Sequence, residues 1–261
     1  MELNNQTTEL FKEKFKTISA MNWVENRRHG NDGGVGNTLE DLLEIVENNL
    51  SLPDFGKWEL KTQRDTTSSL LTLFHCEPEP REARFVSKIA LPNYGWKHNE
   101  AGSLYGENER SFRATLKSTF SDRGLRVGVD RTLRQVYVEF DAAKISDSHF
   151  EWKTEVKAKI GLDDFNPRPY WSFYTIEKKL QTKLDNLLYF RVETKKENGK
   201  EFYRYSNFEA YMKPTLDNFL KLVDDGVIYV DFDARTKHNH GTKIRIKSDQ
   251  KKNLYSGQIE I

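Results

Sequence analysis

"PDFGKWELKTQR", residues 53–64, places two acids and a lysine, Asp54, Glu59 and Lys61, in a very short span. The stretch reads as the arm of a β-hairpin. Side chains two apart on a strand share a face, so Glu59 and Lys61 project together while Trp58 and Leu60 point the other way, into a core. Asp54 precedes the arm, and Gly56 permits a bend between them. Two carboxylates and one ammonium thereby converge, and two readings stand. They are a solvated face of an amphipathic strand, or the working parts of a metal site. Hard cations such as Mg²⁺ take one or two carboxylates and keep other positions for water and substrate phosphate. A lysine beside such a site can orient a water and stabilise charge as a phosphodiester is attacked.

The surrounding sequence reads as an α/β or α+β mixture. A helix is expected over residues 8–20, with Phe11, Phe15 and Ile18 on one face. A second is expected to start at Thr38, with Asp41 completing a capping-box-like pattern. Its apolar stripe is Leu39, Leu42, Leu43 and Val46. Strands follow near 57–64 and 69–75. Residues 77–120 read as loops and short strands with several exposed Arg and Lys. A meander is expected over 125–140. Helices are expected over 174–186 and 214–226, the latter ending at Gly226. Asn198-Gly199 marks a hairpin turn. Residues 227–233 and 242–247 alternate with period two.

Composition narrows the class. The chain has 261 residues, enough for two lobes with a real core, and one cysteine, Cys76, so no intrachain disulfide can form. With no bilayer-spanning run and no signal pattern, a soluble, cytoplasmic protein is expected. Net charge is +1, which alone argues for no polyanion partner. Its distribution says more. Residues 235–252 hold seven Lys/Arg against one acid, and residues 38–59 hold six acids against one base. One region suits phosphate and the other a cation.

The basic region belongs to a strand pair. Ile228, Val230 and Phe232 form one face, and Tyr229, Asp231 and Asp233 the other. Opposite them Ile244 and Ile246 are apolar-facing, and Lys243, Arg245 and Lys247 polar-facing. Such a pair is an ordinary sheet with cross-strand ion pairs, or a ribbon laid on DNA. Arginine bonds guanine O6 and N7, and a carboxylate accepts from cytosine N4, so Asp beside Arg suits C·G pairs. His238 and His240 in "HNHG" lack the further ligands zinc needs, leaving a base or phosphate contact or a plain turn. His75 ends its strand and reads as a capped core histidine. "HGNDGGVGN" (29–37) lacks the lysine of a P-loop, so nucleotide binding is not expected; its amides suit a DNA phosphate or a flexible turn.

"GVGNTLEDLLEIVENNLSLPDFGKWELKTQR" (34–64) with "SLLTLFH" (69–75) resembles the N-terminal half of MvaI/BcnI-type restriction endonucleases. These belong to the PD-(D/E)xK nuclease superfamily and are structurally similar to the mismatch-repair nicking enzyme MutH. The likeness continues at "YWSF" (170–173) and "VDFDARTKHNHGTKIRI" (230–246). The resemblance implies that Asp54 and Glu59 bind Mg²⁺ and that Lys61 is the catalytic lysine. Glu44 matches a helix glutamate that contributes to the site in MutH-like members; it lies off the apolar stripe, so a solvated helix face is the other reading. By the same resemblance His75, Asp231, Asp233, Arg235, His238, His240, Lys243 and Arg245 contact DNA. MvaI-type members carry an arginine where this chain has Asp233, and Arg235 is the candidate substitute. The histidines facing the centre of the site look more like BcnI than MvaI.

The expectation is an α/β fold with a PD-(D/E)xK core, its mixed sheet flanked by helices, in two lobes around a DNA cleft. The catalytic lobe is expected over 1–165 and the recognition lobe over 166–261. The resemblance implies a monomeric, Mg²⁺-dependent type II restriction endonuclease of a prokaryotic cytoplasm, nicking each strand of double-stranded DNA in turn. The expected site is CCSGG (S is C or G), with CCWGG or CCNGG as the alternative. A cognate DNA methyltransferase would accompany it in the same system without touching it. A non-catalytic DNA-binding protein with the same fold is the rival from another class.

Overall fold

The computed structural model describes residues 2–26, 28, 33–45 and 53–259. Val46, Glu47 and residues 29–32 of the glycine-rich stretch, which entered the sequence reading, lie outside the described residues. The chain opens with α1 (Glu2–Ala20), β1 (Val24–Glu25), α2 (Gly34–Leu42), β2 (Glu59–Arg64) and β3 (Leu71–His75). It continues with β4 (Trp96–Lys97), β5 (Arg110–Leu116), β6 (Arg123–Asp130), β7 (Gln135–Ile145), α3 (Phe150–Ile160), β8 (Tyr170–Ser172) and α4 (Phe173–Lys183). The last third holds β9 (Asn186–Glu197), β10 (Lys200–Arg204), β11 (Glu209–Pro214), α5 (Leu216–Asp224), β12 (Ile228–Arg235), β13 (His238–Ile246) and β14 (Tyr255–Ile259).

These form two compact units, and the fold is mixed α/β. One unit gathers Met1–Ser69, Lys178–Thr215 and Lys251–Ile261; the other gathers Leu70–Glu177 and Leu216–Gln250. The chain therefore does not divide once near residue 165. The reason lies in β9. It pairs in parallel with β2, from Glu59↔Leu187 to Arg64↔Val192, and antiparallel with β10 and β11. A parallel partner needs a long crossover, so the first unit must draw on segments far apart in sequence.

In the first unit the sheet order is β1-β10-β9-β11-β14, with β2 on β9. The run Leu187–Phe190 is buried throughout, as expected of a central strand covered on both faces. Leu60, Leu188, Phe190 and Val192 share a core with Phe11, Phe15 and Ile18 of α1 and Val35, Leu39 and Leu43 of α2. Each such side chain contributes about 1.5–3 kcal/mol by leaving water. The expected helix start at Thr38 is corrected: α2 begins at Gly34, and Thr38 is buried inside it. Gly34 sits against Tyr203 and Asn26, where a Cβ would come within 2.8 Å of both side chains. Asn198 and Gly199, with φ of 51° and 78°, make the expected tight turn between β9 and β10.

The second unit has one sheet ordered β3-β13-β12-β5-β4 and another ordered β6-β7-β8. Ile228, Val230, Phe232, Ile244 and Ile246 are all buried, so the period-two faces of β12 and β13 fall as expected. Helix α5 closes on Gly226 at φ 67°, with Phe219, Leu220 and Val223 buried. No helix of the described residues is long and apolar enough to cross a membrane.

Candidate active site

The two acids meet through a local turn. Phe55 and Trp58 exchange backbone hydrogen bonds of 2.9 Å in both directions. Gly56 takes the first central position between them at φ 59°, where a Cβ is disfavoured. The turn sets Asp54 opposite Glu59, and Asp54 Oδ2 accepts the Leu60 N–H at 2.9 Å. The expected pairing is thereby corrected. β2 is no arm of a hairpin with β3: β3 pairs with β13, and the only tight hairpin of this stretch is the loop 54–59 itself. The buried β9 offers β2 a partner apolar on both faces, which β3 does not.

Glu59 is 4% exposed. Its Oε1 accepts from Lys61 Nζ at 2.6 Å, and Lys183 Nζ, at the end of α4, stands 3.6 Å from Oε2. Burial pushes the Glu59 carboxyl above its usual range; Lys61 opposes this, Asp54 adds to it, and Lys183 opposes it more weakly. Glu59 Oε2 is buried without a hydrogen-bond partner. An orphaned carboxylate oxygen beside a second carboxylate is a hard, all-oxygen donor pair of the kind a Mg²⁺-class cation accepts. Asp54 and Glu59 therefore fit such an ion. Beyond Lys61 the strand is fixed by Gln63, which accepts from the Tyr189 hydroxyl at 2.7 Å and donates to the Ser69 carbonyl at 2.7 Å.

A pH dependence follows. A carboxyl raised in the folded state favours folding fully below its unfolded pKa, and that contribution is lost as pH rises through the folded value. In EDTA, Glu59→Gln should melt higher than wild type at about pH 8, with the difference shrinking toward about pH 4. Thermal melts across that range check it; a pH-independent loss would contradict a strained buried carboxylate.

Glu44 is not brought to this cluster. It follows the end of α2 at φ 60°, is 80% exposed and pairs with Lys14, which holds its carboxyl below the usual range. Lys183 was not foreseen: nothing local in residues 53–64 could name a partner on a helix so distant in sequence. The sequence pointed to a helix over 174–186 but to no role for its lysine.

In the second unit, one sheet face collects most of the other candidates. Lys243 is in register with His75 and with Asp231, and Asp233 with Arg113. Asp231 accepts from Thr115 Oγ1 at 2.8 Å and from Arg245 Nη1 at 3.0 Å, while Arg245 Nη2 donates to the Leu70 carbonyl at 2.8 Å. Asp233 pairs with Arg113 at 3.0 Å and Lys243 at 3.7 Å. Arg235 is drawn aside: it pairs with Glu109 at 3.1 Å and stacks over the Tyr105 ring. His238 and His240 are exposed at the start of β13, ring to ring, with centroids 4.3 Å apart. Arg113 and Thr115 were missed because 77–120 read as loops. The signal was present, since in "RSFRATL" Phe112, Ala114 and Leu116 alternate with Ser111, Arg113 and Thr115.

Comparison with known proteins bears on both units. The family model described as "MvaI/BcnI restriction endonuclease family" matches residues 12–255. Among solved structures, the restriction endonuclease MvaI in complex with cognate DNA is similar at a TM-score of 0.74 and 28% identity, covering 97% of this chain and 98% of that one. MvaI in the absence of DNA is similar at a TM-score of 0.52 and 27% identity, covering 97% of each chain. No curated protein matches the chain.

Proposed function

The chain belongs to the MvaI/BcnI restriction endonuclease family, and we propose that it hydrolyses phosphodiester bonds of double-stranded DNA at a short C·G-rich site, CCSGG. The observation that carries the chemistry is the Asp54–Glu59–Lys61 cluster, in which one Glu59 oxygen is buried without a hydrogen bond. Asp54 and Glu59 would hold Mg²⁺, which supplies Lewis acidity at the phosphate and acidifies a bound water. Lys61 orients the attacking water and offsets the negative charge that builds on the phosphoryl oxygens. Lys183 adds a second positive charge on the same carboxylate, and burial of Glu59 keeps these fields strong. The water oxygen joins phosphorus, one P–O bond breaks, and the leaving oxygen takes up a proton.

The second unit reads the sequence. Asp231, fixed by Thr115 and Arg245, accepts from cytosine N4, and Arg245 beside it donates to guanine. Lys243 and Asp233 complete the DNA-facing set, while Arg235 is held aside by Glu109 and Tyr105. His75, with His238 or His240, selects G·C or C·G at the centre from the minor groove, where guanine N2 is the sole donor. A neutral imidazole nitrogen accepts from it. With one such cluster among the described residues, a monomer nicks the two strands in turn.

The test is plasmid digestion with Mg²⁺ and with EDTA, followed by sequencing of the ends. Cleavage only with Mg²⁺, nicked circles ahead of linear DNA, and ends mapping to CCSGG are expected. Ends at CCWGG or CCNGG would move the reading to another central base, and specific binding without cleavage would make the chain a DNA-binding protein only.

A further inference from the structure

A notch of about 390 Å³ opens on the second unit, lined among others by Glu77, Arg81, Arg84, Ser87, Asn239 and Gly241. It belongs to the 77–120 segment, for which neither the sequence nor the proposed cleavage chemistry supplies a role. Arg84 adopts φ 46°, a left-handed conformation uncommon outside glycine. Its backbone is pinned there. Its N–H donates to the Arg81 carbonyl at 3.1 Å, and its own carbonyl accepts from the Ser87 and Lys88 amides at 3.0 and 2.9 Å. Among the described residues no carboxylate pairs with the Arg81 or Arg84 side chains, and both are exposed. The one acid lining the notch is spent elsewhere: Glu77 accepts from the Thr242 amide at 2.8 Å and its hydroxyl at 3.1 Å. Those bonds, with Cys76 N–H on the Thr242 carbonyl at 2.9 Å, strap the notch to β13.

Arg81 Nη2 donates to Cys76 Sγ at 3.6 Å, which leaves its charge unneutralised. Two guanidinium groups without a carboxylate partner, a hydroxyl and an amide therefore surround a concavity beside the 238–241 turn. Guanidinium forks match phosphate oxygens in geometry and charge. We infer that this notch clamps a backbone phosphate of the DNA strand next to the reading hairpin, and so fixes the register in which that hairpin meets base edges. The inference rests on the proposed function, since it needs duplex DNA as ligand. A phosphate contact positions without reading sequence.

The experiment measures duplex affinity by fluorescence anisotropy, in EDTA, across a chloride series, for wild type, Arg81→Ala/Arg84→Ala and Arg81→Lys/Arg84→Lys. Losing one phosphate contact should flatten the slope of log K against log[salt] by about 0.9. Cognate and unrelated duplexes should lose affinity by the same factor in the alanine variant, and the lysine variant should keep most of the slope. An unchanged slope would overturn the inference, as would a loss confined to the cognate duplex. Should the alanine variant fold poorly by thermal melt, Arg81→Gln/Arg84→Gln carries the same comparison. Wild type binding no duplex at all would remove the proposed function as well, which separates the two failures. Inorganic phosphate competing in the millimolar range equally against wild type and variant would also contradict a built site.

Discussion

Lys61→Ala should lower cleavage by about 10²–10³-fold, the usual cost of removing one preorganised cation or donor from a developing negative charge. The side chain is only 23% exposed, yet it lies on the polar face of β2 and touches Glu59 at 2.6 Å. Its removal opens no cavity in the core, so the fold should persist. Duplex binding measured with Ca²⁺ should stay within a few-fold of wild type, because the residues proposed to read DNA lie in the other unit. The contrast between lost turnover and kept binding is the readout. Cleavage near the wild-type rate would falsify the assignment, and equal loss of both would make Lys61 structural. Stability gives a second signature. Without its ammonium the buried Glu59 carboxyl is offset less, so the variant's melting temperature should drop more at alkaline than at acid pH.

Trp58→Ala should cost about 3–5 kcal/mol of stability, at the upper end for a core substitution. Trp58 is 1% exposed and packs in the core beneath β2 and the two N-terminal helices. It also closes the 54–59 loop through its backbone bonds with Phe55. Emptying its place removes the floor on which Asp54 and Glu59 stand. Trp58→Phe should be far milder, since the indole Nε1 has no partner to lose. Urea unfolding followed by circular dichroism, with cleavage assayed well below the melting range, checks both variants. A loss under about 1 kcal/mol for the alanine variant would show the loop to be held by other contacts.

What the sequence displayed was whatever depended on neighbours. The 198–199 turn, the faces of β12 and β13, the apolar face of α1 and the helices α4 and α5 rest on short-range patterns, and all appear in the fold. The Asp54–Glu59–Lys61 cluster was legible for the same reason: a two-residue turn and a period of two bring it together. Contacts made across the chain were not legible. No pattern in β2 names β9 as its parallel partner, and none in residues 53–64 names Lys183. Glu44, off the apolar stripe by the helical wheel, is solvated past the end of α2, which stops at Leu42; the site role implied by the resemblance is what its neighbours did not supply. Arg235 alternates onto the polar face by period, but the bulge between Phe232 and Ala234 and the pull of Glu109 and Tyr105 remove it from the row.

The chain passes between its two units at 69/70, 177/178, 215/216 and 250/251. No single truncation releases either one whole. A chimera that borrowed the reading unit of a relative would need two grafts, 70–177 and 216–250, spliced into a scaffold itself made of three pieces. Loss of either end would break the first unit, because β2, β9 and β14 come from all three segments. For a protein woven this way, if β12 and β13 read DNA as proposed, a new target sequence is reached most directly by side-chain replacement along them, one position at a time, with the Asp54–Glu59–Lys61 cluster left in place.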